Sequence, residues 1–212
     1  MNMEILALFA ILLITAESAL TQRFSGLLRS FRYQSLFLAL LTLLAAYRGN
    51  SATLYFVGGL ILAIKVIIIP RLFQGLIRSI KVSDNLGLFI SPQATLFAAF
   101  FLGVVSWSFS GQIIHNAYLE QLIISVSFFA MLVGILLMVT RIKALAQVIG
   151  LLMMENGVFL AATVIPGGTP FFIEIAVFFD IMISAMILGL FIYRIKAIFT
   201  HIDISKLSGL KG

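Results

Sequence analysis

The chain is divided into seven blocks of apolar residues separated by short polar or basic stretches. Most blocks run about 17–23 residues, the length that a helix needs to cross a bilayer at about 1.5 Å per residue. We place them at about 3–20, 32–47, 52–72, 92–109, 118–140, 144–165 and 170–193. Val, Leu, Ile and Phe follow one another within each block, unlike the alternating pattern of a transmembrane barrel. The sequence predicts an all-α, polytopic integral membrane protein with about seven transmembrane helices.

Composition excludes a water-soluble fold. The 212 residues are 62% hydrophobic and 10% charged, whereas soluble domains are about 45–50% apolar and about 25% charged. The longest predicted loops, about 12–20 residues, are too short for an independent core. We therefore expect a single membrane domain over 1–212, with a four-helix part at 1–112 and a three-helix part at 113–212.

Loop charge predicts the orientation. Basic residues concentrate in every second loop and in the C-terminal tail: Arg23, Arg29, Arg32, Arg71, Arg78, Lys81, Arg141, Lys143, Arg194, Lys196, Lys206 and Lys211. The other loops contain Arg48 and His115. By the positive-inside rule this alternation places the N-terminus outside and the C-terminus in the cytoplasm of a multi-pass protein of the inner (plasma) membrane. The same rule accounts for the net charge of +6, so nucleic-acid binding is not needed to explain it.

Two carboxylates interrupt apolar blocks. Glu155 lies in the middle of the sixth block, and Asp180 lies near the middle of the seventh. A charge at mid-membrane costs about 2.5–3.5 kcal/mol on insertion scales, so it is usually paired or functional. One interpretation is a neutral carboxyl that only fixes helix packing, with Asn156 or Gln147 beside Glu155. The other is a proton-carrying group, and Asp180 then needs a partner on another helix because its sequence neighbours are apolar.

Lys65 and Glu174 are two further candidates for a proton relay with Glu155 and Asp180. Lys65 lies deep in the third block, and Pro70 five residues later cannot donate a hydrogen bond to the carbonyl of Val66. A freed carbonyl beside a buried amine favours a polar pathway, whereas the alternative is a lysine that snorkels to the interface. Glu174 lies one turn inside the seventh block, where it is either part of the relay or an interfacial carboxylate favoured by the helix dipole.

No motif for catalysis, metal binding or cofactor binding is recognisable. The chain has no cysteine and two histidines, which excludes thiolate-bound clusters and gives little support to haem ligation. It also has no Gly-rich phosphate loop and no nucleophile–base spacing. We expect a chain that is not an enzyme by itself, with no catalytic, cofactor or metal site of its own.

Four segments carry a family resemblance. Leu151–Gly157, Ile173–Asp180 and the tail His201–Gly212, which ends in Leu-Lys-Gly, resemble component E of group-4 membrane-bound [NiFe] hydrogenases of the hydrogenase-4 and formate hydrogenlyase type. The fourth segment, Ile64–Val66 through Pro70, also resembles component E. The resemblance covers essentially the whole chain.

The C-terminal half resembles further membrane subunits. Residues from about 113 onward are similar to the K subunit of respiratory complex I and to the C subunit of multisubunit cation/proton antiporters. The K subunit has a membrane-embedded glutamate in each of its last two helices. When the two sequences are placed in register, the first of these glutamates corresponds to a position near Leu152, one turn before Glu155. The second corresponds to Asp180.

The resemblance implies a non-catalytic membrane-arm subunit that helps couple redox chemistry to proton or Na⁺ translocation. Glu155 and Asp180 are then the relay residues, with Lys65 and Glu174 as further candidates. The NiFe centre and iron–sulfur clusters are expected in partner subunits. The partners are antiporter-like subunits, the subunit that anchors the hydrogenase arm, and the lipid bilayer. The alternatives are a subunit of a cation/proton antiporter and a structural membrane scaffold.

Overall fold

The computed structural model describes residues 3–80, 84–114, 117–164, 180–183, 185–187 and 189. Within these residues the elements are α1 (Met3–Leu20), α2 (Phe24–Gly49), α3 (Ala52–Ile61), a π-helical segment (Leu62–Ile68), α4 (Ile69–Ile80), α5 (Pro92–Ile113), α6 (Tyr118–Thr140) and α7 (Ala144–Ala162). Residues 180–183, 185–187 and 189 are also helical.

Six helices among the described residues are long and apolar enough to span a membrane, with α3, the π-helical segment and α4 forming one continuous span. The prediction of an all-α, multi-pass membrane protein agrees with this architecture. Most of the expected seventh span, 170–193, lies outside the described residues.

Among the six described spans, the predicted starts are confirmed except at α2, and the predicted ends of α2, α4, α5 and α7 differ from the structure by two to eight residues. Helices α1, α5 and α6 begin where the apolar blocks begin. Helix α2 begins at Phe24 rather than at 32, because Arg29 and Arg32 are exposed and let the helix continue beyond its apolar part. Helix α4 likewise continues to Ile80, past the predicted end at 72.

Local capping explains two helix starts. Asn50 adopts a left-handed conformation with φ 45° after α2, and the Ser51 side chain accepts a hydrogen bond from the Leu54 N–H. Ser91 accepts from the Ala94 N–H, and Pro92 occupies the first turn of α5, where its missing N–H costs nothing. In both turns the residue types suit their positions, with Ser51 and Ser91 as helix N-caps.

Helices α6 and α7 pack closely through glycines. A Cβ added to Gly134 would lie 2.7 Å from the Gly150 carbonyl oxygen, and one added to Gly157 would lie 2.8 Å from the Ser127 carbonyl oxygen. Small residues let membrane helices approach with backbone contact. This contact fixes the rotation of α7.

One end of the bundle, which we call the basic end, is closed by a strap formed by residues 84–91. The Leu86 N–H donates to the Gln22 carbonyl, and the Phe89 N–H donates to the Thr140 carbonyl. The strap thereby ties the α1–α2 connection to the α6–α7 connection. Most described basic residues lie at this end, and Arg48 pairs with Glu4 at the other.

Candidate functional site: a buried ionic cluster

Lys65 lies at the centre of the site and is 2% exposed. Its Nζ lies 2.8 Å from Glu155 Oε1 and 3.6 Å from Asp180 Oδ1. We call Lys65, Glu155 and Asp180 the ionic cluster. A third contact runs 3.1 Å from Lys65 Nζ to Asn156 Oδ1. The interpretation of Lys65 as a snorkelling residue is wrong, because the ammonium group turns inward to these three acceptors.

The π-helical segment carries Lys65 near the middle of the third span. The Ile69 N–H donates to the Ile64 carbonyl five residues earlier, and Pro70 follows without an N–H to donate. A π-helical turn inserts an extra residue into a helix, and such turns occur frequently at functional sites. The proline signal in the sequence marked this irregularity, although it did not specify its form.

Helix α7 presents Glu155 to the π-helical segment. Residues two apart on a helix differ by about 200° in direction, so the contact of Gly157 with α6 turns Glu155 away from α6. Glu155 Oε1 accepts a hydrogen bond from Lys65, while Oε2 has no hydrogen-bond partner among the residues that the structure describes. The close α6–α7 packing therefore determines where the carboxylate meets the ammonium.

Asp180 supplies the second carboxylate and is buried. The prediction that its partner lies on another helix is confirmed by the ion pair with Lys65 of the third span. At 3.6 Å the Nζ–Oδ1 contact is an ion pair and not a hydrogen bond, and Oδ1 has no hydrogen-bond partner within the described part of the chain. Glu174, the fourth candidate, lies outside the described residues.

One ammonium group faces two carboxyl groups in this cluster. The charges of Lys65, Glu155 and Asp180 balance only when one carboxyl carries a proton. Buried net charge is expensive, costing several kcal/mol per unpaired ion in real proteins. With one proton on either carboxyl group the ionic cluster is neutral.

A chain of amides and hydroxyls anchors the ionic cluster to α1 and α2. Asn156 Nδ2 donates to Gln34 Oε1 at 3.1 Å and to Ser35 Oγ at 2.9 Å. Gln34 Nε2 donates to Thr15 Oγ1 at 2.9 Å, and Thr15 donates to the Ile11 carbonyl at 2.7 Å. We call Asn156, Gln34, Ser35 and Thr15 the amide chain. All four side chains are buried.

The direction of these hydrogen bonds limits what the amide chain can do. Every bond from Lys65 to the Ile11 carbonyl donates away from the ionic cluster. An amide keeps both of its N–H protons, so it does not pass a proton on as a hydroxyl or carboxyl group can. The amide chain orients Asn156, which in turn holds Lys65; it is a positioning network.

Sequence reasoning missed Gln34 and Ser35 as members of the site. Both lie on the buried face of α2, and a polar pair inside an apolar block was the available signal. Gln147, considered as a neighbour of Glu155, instead donates to the Arg141 carbonyl at 2.9 Å. Asn156, the other neighbour considered, does lie at the site.

Arg141 is a second fully buried cation, at the basic end. Its Nη2 donates to the Ala19 carbonyl at 3.0 Å and contacts the Ser18 carbonyl at 3.3 Å, which caps the end of α1. Burial lowers the pKa of the guanidinium to about 10, so it stays charged at neutral pH. Loop charge alone could not distinguish this structural arginine from exposed neighbours.

No group of three or more His, Cys, Asp or Glu side chains that could hold a metal ion occurs among the described residues. The ionic cluster contains two carboxylates with an ammonium between them.

Comparison with known proteins finds a distant relative. The chain is 23% identical over 191 residues, 88% of its length, to an uncharacterized protein of Mycobacterium tuberculosis, Rv0085, of which 86% is covered. No family model matches the chain. No solved structure matches it either. The chain is therefore similar along most of its length to another protein whose name states no activity.

Proposed function

We propose that the chain is a non-catalytic membrane-arm subunit of a multisubunit group-4 [NiFe] hydrogenase. In this role the ionic cluster takes up and releases one proton, or Na⁺, in step with redox chemistry in partner subunits. The observation that carries the proposal is the pairing of one buried ammonium, Lys65, with two buried carboxyl groups, Glu155 and Asp180. The resemblance of Leu151–Gly157 and of the C-terminal tail to component E supports the choice of complex.

The ionic cluster is suited to proton exchange because Lys65 contacts its two carboxyl groups at unequal distances. Lys65 Nζ is closer to Glu155 than to Asp180, and each carboxylate has one oxygen without a hydrogen-bond partner in the described ranges. A small displacement of the ammonium would exchange its two partners and move the negative charge that it neutralises. A shift of this kind is the elementary step of a proton relay: the carboxyl group that gains the ammonium releases its proton, and the carboxyl group that loses the ammonium takes one up.

A structural scaffold is the second candidate, and the amide chain favours it. Asn156 has a hydrogen bond at each end of its amide and Gln34 bridges it to α1, as expected of a network that specifies helix packing. The two candidates differ in one respect: a scaffold needs no free carboxylate oxygen, whereas a relay does.

Purification of the chain from its native membrane with its partners tests the complex. Mass spectrometry of the co-purified chains is expected to identify a NiFe large subunit, an iron–sulfur subunit and antiporter-like membrane subunits. Antiporter subunits alone would instead indicate a cation/proton antiporter. Recovery of the chain without stable partners, together with ion transport by the isolated protein in vesicles, would contradict the assignment to a hydrogenase.

The arrangement of α5 fits a subunit that sits among others in the inner (plasma) membrane. Phe97, Phe100 and Phe101 are between 66% and 75% exposed on this helix. Such an aromatic surface needs lipid tails or neighbouring helices to cover it. The predicted orientation, with the basic end in the cytoplasm, belongs to the same proposal and follows from the positive-inside rule.

A further inference from the structure

A second polar site lies at the basic end, apart from the ionic cluster. A groove of 650 Å³ separates α2 from α4 and is bordered by Arg29, Arg32 and Arg78. Its volume falls in the range of about 300–1,000 Å³ that ligand pockets in proteins have. Helix α2 packs along α3 and the π-helical segment but makes few contacts with α4. The groove therefore opens where the third span diverges from α2 beyond Pro70.

The rim of the groove carries unneutralised positive charge. Neither Arg32 nor Arg78 has an ion-pair partner among the described residues, and Arg29 has a loose contact of 3.6 Å with Glu17. Asp84 also borders the groove and accepts hydrogen bonds from Ser25 on both carboxylate oxygens, so the charged side chains that line the groove sum to +2. The rim thus presents three guanidinium groups, which are suited to the paired oxygens of a phosphate.

The wall of the groove is apolar and extends deep along the helices. It is formed by Leu28, Leu36, Val66 and Ile77. With a rise of about 1.5 Å per residue, Val66 lies about 18 Å along the span from Arg78. One leaflet of a bilayer has a hydrocarbon thickness of about 15 Å. The groove matches a molecule with an anionic head and one extended acyl chain.

We propose that this groove binds an anionic phospholipid, with its phosphate between the arginines and an acyl chain against the apolar wall. Basic pockets between membrane helices on the cytoplasmic side are suited to such headgroups. The arginines lie within three turns of the helix ends, the depth at which headgroups meet the hydrocarbon. The site is independent of the ionic cluster, so its failure would leave the proposed function untouched.

Lipid retention by the purified full-length chain tests the site. The probes are phosphatidylglycerol and phosphatidylcholine, added in equal amounts to the detergent-solubilised protein and counted by native mass spectrometry. We expect preferential retention of phosphatidylglycerol, with a loss of about fivefold in affinity for each arginine removed. The double variant Arg32→Gln/Arg78→Gln should therefore bind about 25-fold more weakly.

Arg71→Gln is the matched control, because Arg71 is exposed on α4 but does not border the groove. It should retain phosphatidylglycerol as the wild type does, and melting temperatures should agree among all variants. Equal retention of phosphatidylcholine would overturn the proposal, as would displacement of the lipid by millimolar inorganic phosphate. Unchanged lipid retention in the double variant, with loss of a partner chain from the complex, would assign the groove to an acidic protein instead.

Discussion

Lys65 Nζ and Glu155 Oε1 lie 2.8 Å apart although the two residues are separated by 90 positions in the sequence. The contact joins the π-helical segment to α7 inside a bundle whose core consists mainly of apolar and small residues. Removing one partner of a buried pair leaves an uncompensated charge, which is typically far costlier than removing both. The stability of the bundle and the proposed relay therefore depend on the same three side chains.

Replacement of Lys65 by Met should destabilise the bundle by about 3–5 kcal/mol, because two buried carboxyl groups then lose their cation. The triple variant Lys65→Met/Glu155→Gln/Asp180→Asn should recover most of this loss, since it leaves no buried charge. Thermal unfolding in detergent, followed by helical circular dichroism, measures both. If Lys65→Met were as stable as the wild type, Lys65 would not be paired with the two carboxyl groups.

Asn156 and Gln34 should be energetically coupled. Hydrogen bonds between membrane helices contribute about 0.6 kcal/mol on average and up to about 1.7 kcal/mol in double-mutant cycles. We expect Asn156→Leu, Gln34→Leu and the double variant to give a coupling energy in this range, measured by unfolding in mixed detergent. Additive effects would mean that the 3.1 Å contact between the two amides contributes nothing to packing.

Gly157→Ala should destabilise the protein by about 1–3 kcal/mol, because the added methyl group meets the backbone of α6. The nearest atoms are the Met131 nitrogen and the Ser127 oxygen, both at 2.8 Å. Gly59→Ala is the control: nothing lies within 4 Å of its added Cβ, so it should be neutral or stabilising by up to about 1 kcal/mol. Equal melting temperatures for the two variants would contradict the close α6–α7 contact.

The ionic cluster should contain a protonated carboxyl group at neutral pH. Infrared spectroscopy distinguishes the C=O stretch of a carboxyl group from the bands of a carboxylate. We expect the band of a buried, protonated carboxyl to disappear in Glu155→Gln/Asp180→Asn and to persist in Glu17→Gln, since Glu17 is exposed. A spectrum without such a band in the wild type would mean that the cluster carries a net negative charge.

The residue types in the ionic cluster could be predicted from sequence, whereas their pairing could not. Glu155, Asp180 and Lys65 each interrupt an apolar block, and charge inside a span is costly enough to mark a residue by itself. Which charge meets which depends on helix rotation, and rotation is set here by the glycine contacts between α6 and α7. Such contacts between distant segments are not encoded in local periodicity.

The amide chain and the start of α2 were harder to foresee. Gln34 and Ser35 are neutral, so their cost in a membrane is lower than that of a charge and their signal is weaker. Helix α2 continues through Arg29 and Arg32 because these side chains extend into water from a helix that is longer than its apolar block. Hydropathy locates the membrane-spanning part of a helix and not its physical end.

Proton movement by the assembled complex, reconstituted in sealed vesicles, tests the central claim most directly. Glu155→Gln and Asp180→Asn should each assemble and retain hydrogen turnover while the number of protons moved per turnover falls sharply, and Glu17→Gln should behave as the wild type. Full coupling in both variants would contradict the account and leave the ionic cluster as a packing feature.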